Sequence, residues 1–257
     1  YLSEMERIFE EYDLPMELTR LTFVESMFNP YAYSKSGAAG VWQFLKATGK
    51  RYLIINNIVD ERRDPLLATI AASKFLTKNY ESIGNWPLAI TAYNHGPNSI
   101  IKAMKKTNST HLPEIINNYN QRRFGFASKN FYAEFLAALD VVNNYKNYFG
   151  DISIKQPLKF DVVQIEKSMF LRDIERYCSI SKDEIKKLNL ALQGNVIDSR
   201  VYIPKGFALR IPEGKKEAFY KGFEVITSKY SAKKGNKKTE ASDKLKEILG
   251  DSKGVSF

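Results

Sequence analysis

Apolar residues recur at helical spacing early in the chain. Leu14, Leu18 and Leu21 step by four and then three, and Phe28 follows seven positions later. We therefore predict one helix with an apolar stripe that includes position 25. That position holds Glu25, where another leucine is expected. A carboxylate on a core-facing stripe must be paired, lie at a cleft or have a raised pKa, so Glu25 is a candidate functional residue.

Residues suited to begin a helix recur through the first 150 positions: Ser3, Pro15, the pair Asp64–Pro65, and Asn85. A helix is predicted to follow each of them, and the one after Asn85 should end at Gly96. The apolar pattern predicts further helices within residues 40–53, 98–107, 112–119 and 128–145. Residues 1–150 are therefore predicted to form a mainly helical domain.

The pattern changes at residues 148–160, where Gly, Asp, Pro and β-branched residues mark a boundary. Strands are predicted at residues 160–165 and 208–212, with helices at 171–178 and 181–189 between them. We expect a small α+β module over residues 151–214. Residues 215–257 are rich in lysine and are predicted to hold a helix over 215–230 and a flexible polar tail.

Composition removes several classes of function. Hydrophobic residues make up 44% of the 257, and no apolar run is long enough to cross a membrane. One cysteine and two histidines leave little material for disulfides, zinc sites or Ser-His-Asp triads. The net charge of +10 favours polyanions such as nucleic acid, anionic lipid or acidic cell wall, but no nucleic-acid motif is present.

Polar and aromatic residues that suit sugar recognition surround Glu25 in the sequence. The small residues of segment 34–40 allow close backbone approach, and Trp42, Gln43 and Phe44 are expected to supply an aromatic wall and an amide. Tyr93 and Asn94 precede a glycine turn. The alternative is structural: Glu25 could form a buried salt bridge or point to solvent from a helix end.

Taken together and in order, these motifs resemble the family 1 lytic transglycosylases, which have a goose-type-lysozyme-like fold, and most of all their membrane-bound D type. The matching motifs lie within residues 15–145: Glu25-Ser26 with Asn29-Pro30, Ser34, residues 37–44, residues 60–65 and residues 92–96. The resemblance implies cleavage of the β-1,4 bond between N-acetylmuramic acid and N-acetylglucosamine in peptidoglycan.

The resemblance also assigns roles. Glu25 would be the sole acid/base, first protonating the glycosidic oxygen and then taking the proton of the muramoyl 6-hydroxyl, which gives a 1,6-anhydro product without water. Ser26 would orient Glu25. The other residues expected to bind substrate or the carboxyl are Ser34, Gln43, Tyr93, Asn94 and Tyr132. No metal or organic cofactor is implied.

One motif of the family departs in this chain. The usual Glu-Thr-x-x-Tyr-Val of the last helix aligns with residues 127–132, so Ala127 replaces the acid and Phe131 replaces the tyrosine. Tyr132, one position on, is the candidate substitute phenol, although one residue turns a helix by about 100°. The departure affects the tuning of Glu25 rather than the presence of the acid.

The second module resembles a degenerate lysin-motif (LysM) domain, best over residues 179–189, with Ser168-Met169-Phe170 in place of Gly-Asp-Thr. Such a module would bind glycan or pack on the catalytic domain. We expect an exported, monomeric protein of the periplasm or cell envelope that binds peptidoglycan strands and no nucleic acid, with no membrane span in this chain. A muramidase that admits water and a non-catalytic wall-binding protein are the alternatives.

Overall fold

The computed structural model describes residues 1–231. It divides the chain into two compact units, the first covering Tyr1–Leu158 and the second beginning at Lys159. The division falls inside the 148–160 segment where the sequence pattern changes.

The first unit is helical. Its helices are α1 Leu2–Glu11, α2 Leu21–Ser26, α3 Lys46–Gly49, α4 Pro65–Ile83, α5 Trp86–His95, α6 Pro97–Thr107, α7 Leu112–Asn118, α8 Phe126–Asn143 and α9 Tyr145–Phe149, with short 3-10 helices at Met16–Arg20 and Glu61–Arg63. Helix α4 packs against α1 and α5, and α5 in turn packs against α6 and α8. Helix α8 also packs against the short α2, which carries Glu25.

Local capping fixes where the two central helices begin. Asp64 accepts hydrogen bonds from Leu66 N and Leu67 N at 3.0 Å, and Asn85 accepts one from Leu88 N at 3.1 Å. Both predicted starts are confirmed, as is the end of α5 before Gly96. The cap predicted at Ser3 is wrong, because α1 already begins at Leu2 and no side chain caps it.

The segment around Glu25 is not one continuous helix. Pro15 precedes a 3-10 helix that leads directly into α2, and α2 ends at Ser26 because Met27 and Phe28 have φ angles of +51° and +58°. The predicted apolar face is nevertheless real for the three leucines Leu14, Leu18 and Leu21, which are buried.

The helix predicted over residues 40–53 is wrong for most of its length. Only Lys46–Gly49 is helical there. Residues 33–44 form a compact turn with isolated β-bridges joining Ala39 to both Tyr33 and Phe44. Two residues of the turn, Gly40 and Gln43, have φ angles of +74° and +47°, which a right-handed helix does not contain.

The second unit contains two strands, β1 Phe160–Gln164 and β2 Ala208–Pro212, paired antiparallel from Phe160 opposite Pro212 to Gln164 opposite Ala208. Between them lie α10 Leu171–Cys178, α11 Lys182–Leu188 and α12 Gly194–Ile197. The predicted order of strand, two helices and strand is confirmed. The short α12 lies between the second predicted helix and the second predicted strand, where no element was predicted.

Residues 216–231 form a further helix, α13, that confirms the helix predicted over 215–230. Phe219 and Ile226 are buried. Gly222 lies so close to α10 that a β-carbon on it would stand 2.3 Å from Tyr177 O and 2.5 Å from Cys178 Sγ. The helix therefore packs tightly on α10. The predicted polar tail, from residue 232 onward, lies outside the described residues.

Candidate active site

A buried arginine organises the turn that follows Glu25. The Arg62 guanidinium binds the Asp60 carboxylate through Nε and Nη2 at 2.9 and 2.7 Å. Its Nη1 donates to Gly37 O at 2.8 Å, within the turn, and to Phe44 O at 3.0 Å, at the end of the turn. Because Asp60 and Arg62 are both buried, the pair satisfies its own charges while it holds the turn closed.

Glycine is required at the centre of this turn. A β-carbon on Gly40 would lie 1.9 Å from Arg62 O, and its φ of +74° is one that other residues rarely adopt. The backbone of the turn therefore presses directly on the backbone that carries the arginine.

Trp42 is part of the core rather than a wall of the site. Its side chain is 0% exposed, its ring stacks on Phe9 of α1 with centroids 5.6 Å apart, and its Nε1 donates to Thr69 Oγ1 of α4 at 2.8 Å. The aromatic wall predicted at this position is wrong for Trp42. Phe44 does line the cleft, although it is almost fully buried.

Glu25 lies in a cleft of about 590 Å³ in the first unit. The cleft brings together five of the residues expected from the sequence: Glu25, Ser34, Gln43, Tyr93 and Asn94. They come from α2, the turn and the end of α5, so the site is assembled by packing and not by one local motif. His95 also lines the cleft.

The electrostatics of Glu25 suit a proton donor. Burial is the main cause that raises its pKa from 4.5 to about 8, and the negative charge of Glu134 adds to the increase. Within residues 1–231 the carboxylate has no salt-bridge or hydrogen-bond partner. Glu25 is therefore protonated at neutral pH. Of the three possibilities for a carboxylate on an apolar stripe, a place at a cleft and a raised pKa both hold, whereas pairing does not within residues 1–231.

Tyr93 and Gln43 are held by the backbone of the turn. Tyr93 donates from its hydroxyl to Trp42 O at 2.8 Å, and burial together with the charge of Glu25 raises its pKa well above 10. Gln43 donates from Nε2 to Gly40 O at 2.8 Å. Its amide nitrogen is thereby occupied, whereas its Oε1 has no hydrogen-bond partner in the described part of the chain.

Asn94 belongs to a small polar network that the sequence did not reveal. Ser128 Oγ of α8 lies 3.1 Å from Asn94 Oδ1 and 2.9 Å from His95 Nδ1. The hydroxyl has a single hydrogen to donate, so with that hydrogen on Asn94 the ring nitrogen of His95 must donate to Ser128. The network connects the end of α5 to α8 at the edge of the cleft.

Sequence reasoning also missed Glu134, whose charge contributes to the raised pKa of Glu25. It lies on α8, three positions after Phe131 and seven after Ala127, and residues at that spacing share a helix face. The family motif aligned with residues 127–132 already connected that face of the helix with the tuning of Glu25. The spacing was therefore the signal that could have found it.

Two expected site residues lie elsewhere. Ser26 Oγ donates to Thr22 O at 3.1 Å or to Val41 O at 3.0 Å, so it ties α2 to the turn and does not line the cleft. Tyr132 lines a different cavity of the first unit, beside His111 and Leu112, and packs on the apolar core around Leu88. It does not replace the phenol that Phe131 lacks.

Two kinds of structural feature are absent from residues 1–231. Over residues 1–231 no group of three or more His, Cys, Asp or Glu side chains is arranged to hold a metal ion. Over the same residues no helix is both long and apolar enough to cross a membrane.

Part of the first unit is similar to a known protein family. Residues 7–116 match the Transglycosylase SLT domain. The matched segment includes α2, the turn and α5, and therefore every predicted site residue that lines the cleft.

Individual relatives agree with that match. The chain is 28% identical to membrane-bound lytic murein transglycosylase D of Escherichia coli K12 over 208 residues, which covers 78% of this chain and 45% of that protein. It is 32% identical over 117 residues to a putative tributyltin chloride resistance protein of an Alteromonas species, covering 45% of this chain and 56% of that one. The chain thus spans about half the length of the curated relatives it matches.

Solved structures give a weaker similarity. The 70 kDa soluble lytic transglycosylase of Escherichia coli aligns with a TM-score of 0.46 at 20% identity, over 59% of this chain and 25% of that one. The lytic transglycosylase Slt of Pseudomonas aeruginosa aligns with the same TM-score and identity over 56% of this chain and 24% of that one.

Proposed function

We propose that the protein is a peptidoglycan lytic transglycosylase with Glu25 as its single acid/base. The observation that carries the proposal is an unpaired carboxyl with a pKa of about 8 in a polar cleft of the segment that matches the Transglycosylase SLT domain. A general acid must hold its proton at the working pH, and Glu25 does so near neutrality.

The reaction uses this one carboxyl twice. Glu25 first donates its proton to the glycosidic oxygen as the bond to C1 of N-acetylmuramic acid breaks, and N-acetylglucosamine leaves with a free 4-hydroxyl. The resulting Glu25 carboxylate then removes the proton of the muramoyl 6-hydroxyl while that oxygen bonds to C1. The product is the 1,6-anhydro sugar, no water is consumed, and Glu25 ends protonated as it began.

The other cleft residues bind the sugar. Gln43 Oε1 is the acceptor left without a partner, and Asn94 is positioned by Ser128, so both are placed to hydrogen-bond hydroxyl or acetamido groups. Tyr93 keeps its proton because its pKa is high, and it fixes the wall of the cleft through Trp42 O. Ser34 Oγ accepts from Ala38 N at 3.0 Å and lines the same wall.

A second candidate activity is hydrolysis of the same bond, and one observation favours it. Glu134 is close enough to raise the pKa of Glu25, so the cleft has a second carboxylate nearby. Hydrolases of glycosidic bonds commonly use two carboxylates, one as acid and one to activate water or attack C1. Glu134 is exposed and would be the base of such a reaction.

Mass spectrometry of digested peptidoglycan separates these activities. Purified peptidoglycan is incubated with the protein or with Glu25→Gln, which keeps the size of the side chain but has no proton to donate. Muropeptides ending in 1,6-anhydromuramic acid support the proposal, and reducing ends heavier by one water indicate the hydrolase. Intact glycan with both proteins would contradict an enzymatic function and favour a wall-binding one.

For the whole protein we propose action on peptidoglycan strands in the cell envelope. The match to a membrane-bound lytic murein transglycosylase supports that location. We further propose that residues 151–214 form a LysM-like module, which the antiparallel β1–β2 pair enclosing α10 and α11 supports. Residues 1–150, 151–214 and 215–257 are our proposed catalytic domain, module and lysine-rich extension.

A further inference from the structure

The second unit has its own large cavity, of about 1110 Å³. Aromatic rings form part of its lining. Phe170 and Tyr202 stack with centroids 3.9 Å apart and an interplanar angle of 21°, and the Arg172 guanidinium lies 4.0 Å from the Phe170 centroid. Tyr202 is 44% exposed, so its ring is available to a ligand.

Cationic side chains outnumber carboxylates in this cavity. The cations are Lys167, Arg172, Arg176, Lys205 and Lys229, and the carboxylates are Glu166 and Asp173. Asp173 already accepts a hydrogen bond from the Tyr230 hydroxyl. Within residues 1–231 no carboxylate lies within salt-bridge distance of Arg176 or Lys205. The cavity therefore has positive charge that the described residues do not neutralise.

Helix α13 completes the cavity and fixes its shape. It supplies Ile226, Lys229 and Tyr230 to the lining. Lys229 Nζ donates to the Tyr177 hydroxyl at 2.6 Å and lies 4.2 Å from the centroid of that ring. With Gly222 pressed on α10, these contacts hold Lys229 on a helix that packs against α10, the helix that carries Arg176.

We propose that this cavity binds the free carboxylates of the peptide stems of peptidoglycan. The inference rests on the proposed function, which brings the protein to that polymer. A guanidinium matches a carboxylate in a two-pronged hydrogen-bonded pair, and lysine adds a point charge, so Arg176 and Lys205 suit two neighbouring carboxylates. The Phe170–Tyr202 pair supplies the apolar surface for the aliphatic parts of a stem.

The ligand expected here differs from that of the Glu25 cleft. The Glu25 cleft offers amide and hydroxyl groups around a neutral acid, which suits sugar rings. The cavity of the second unit offers cations and aromatic rings, which suit an anionic peptide. Each site would therefore bind a different chemical part of the same polymer.

Isothermal titration calorimetry on the full chain tests the proposal. The chain carries Glu25→Gln so that no cleavage occurs, and the probe is a synthetic stem peptide with all its carboxylates free. We expect binding that weakens at least tenfold when the carboxylates are amidated, and at least tenfold when Arg176→Gln and Lys205→Gln are combined. The matched control is Lys187→Gln, an exposed lysine of α11 outside the cavity, which should change the affinity less than twofold.

Three results would overturn the proposal. The first is equal binding of the amidated peptide or of a neutral N-acetylglucosamine tetramer, which would mean that charge is not recognised. The second is competition by inorganic phosphate at the concentration of the peptide itself, which would mean a general anion site. The third is an equal loss of affinity in Lys187→Gln, which would mean attraction by net charge alone.

The binding test is independent of catalysis. If the stem peptide binds but the chain with Glu25 intact does not cleave peptidoglycan, the proposed function is overturned and the cavity assignment stays in place. Cleavage without stem binding would overturn only the cavity assignment.

Discussion

The Glu25 cleft of the first unit and the cationic cavity of the second unit place their ionisable groups in opposite environments. In the first unit, burial and the charge of Glu134 raise the pKa of Glu25 to about 8. In the second unit, Arg176 and Lys205 are exposed to solvent. The first site buries its key ionisable group, whereas the second exposes its cationic side chains.

The comparison shows that acid catalysis and anion binding require different environments for their ionisable groups. A proton donor is useful when its environment disfavours the ion, and the tightly packed turn around Arg62 supplies that environment. A binding site for anions is useful when its cations are present without a large desolvation cost, and an exposed cavity provides that. The following predictions test this contrast, from the largest expected effect to the smallest.

Replacement of Glu25 should impair the first site and leave the second unchanged. We expect Glu25→Gln to lower the rate of peptidoglycan cleavage by about three orders of magnitude, the scale of general acid–base catalysis. Circular dichroism and the thermal midpoint should show an intact fold. The control is Glu17→Gln, an exposed carboxyl on the preceding 3-10 helix, and an equal loss of rate in it would contradict the role of Glu25.

Removal of Arg62 should disrupt the first site by destabilising the turn at residues 33–44. Arg62→Ala leaves the buried Asp60 carboxylate without its partner, and loss of one member of a buried pair costs about 3–5 kcal/mol in the free energy of unfolding. Urea unfolding measures the change. The neighbouring Arg63→Ala is the control and should cost less than about 1 kcal/mol. Similar values for both variants would mean that the turn does not depend on the buried pair.

The raised pKa of Glu25 should make stability depend on pH. Below pH 4.5 the folded and unfolded states both hold the proton, so the group has no effect. Between pH 4.5 and about 8 only the unfolded state loses it, and the free energy of unfolding falls as pH rises, by on the order of 5 kcal/mol in total. Glu25→Gln should lack this fall.

Urea titrations of both proteins at pH 4, 6 and 9 would measure that difference. Parallel curves for the two proteins would mean that Glu25 is ionised in the folded state. That result would also remove the contrast between the two sites.

The smallest effect is expected at Glu134. Its charge contributes to the raised pKa of Glu25, so Glu134→Gln should lower that pKa and move the alkaline limb of the pH–rate profile of kcat/KM to lower pH, by less than one unit. The exposed Glu81→Gln of α4 is the control. If Glu134→Gln instead abolishes activity, Glu134 is a catalytic base and the hydrolytic candidate gains support.

Elements defined by neighbours in sequence were predictable. The starts of α4 and α5 depend on Asp64 and Asn85, whose side chains bond to backbone groups two or three positions away. The strands and helices of the second unit likewise followed from local pattern. The capping hydrogen bonds join residues only two or three positions apart, so both partners stand next to each other in the sequence.

The turn at residues 33–44 was not predictable in that way. Its apolar spacing resembles that of a helix, but the peptide groups of Gly37 and Phe44 are bound by Arg62, which lies well beyond the turn in sequence. Trp42 had the composition of a sugar-binding wall, yet it is committed to the core by Phe9 and Thr69. Long-range packing outweighed the local preference of these residues.

The sequence by itself determined that Glu25 is exceptional, that polar residues for sugar recognition follow it, and that a small α+β unit comes after residue 150. Only the tertiary structure decided that Glu134 acts on Glu25, that Ser26 and Tyr132 lie outside the cleft, and that α13 completes a cationic cavity on α10. The physical reason is the range of the interactions. Periodicity and capping act over a few residues, whereas pKa shifts and cavities depend on groups that folding alone brings together.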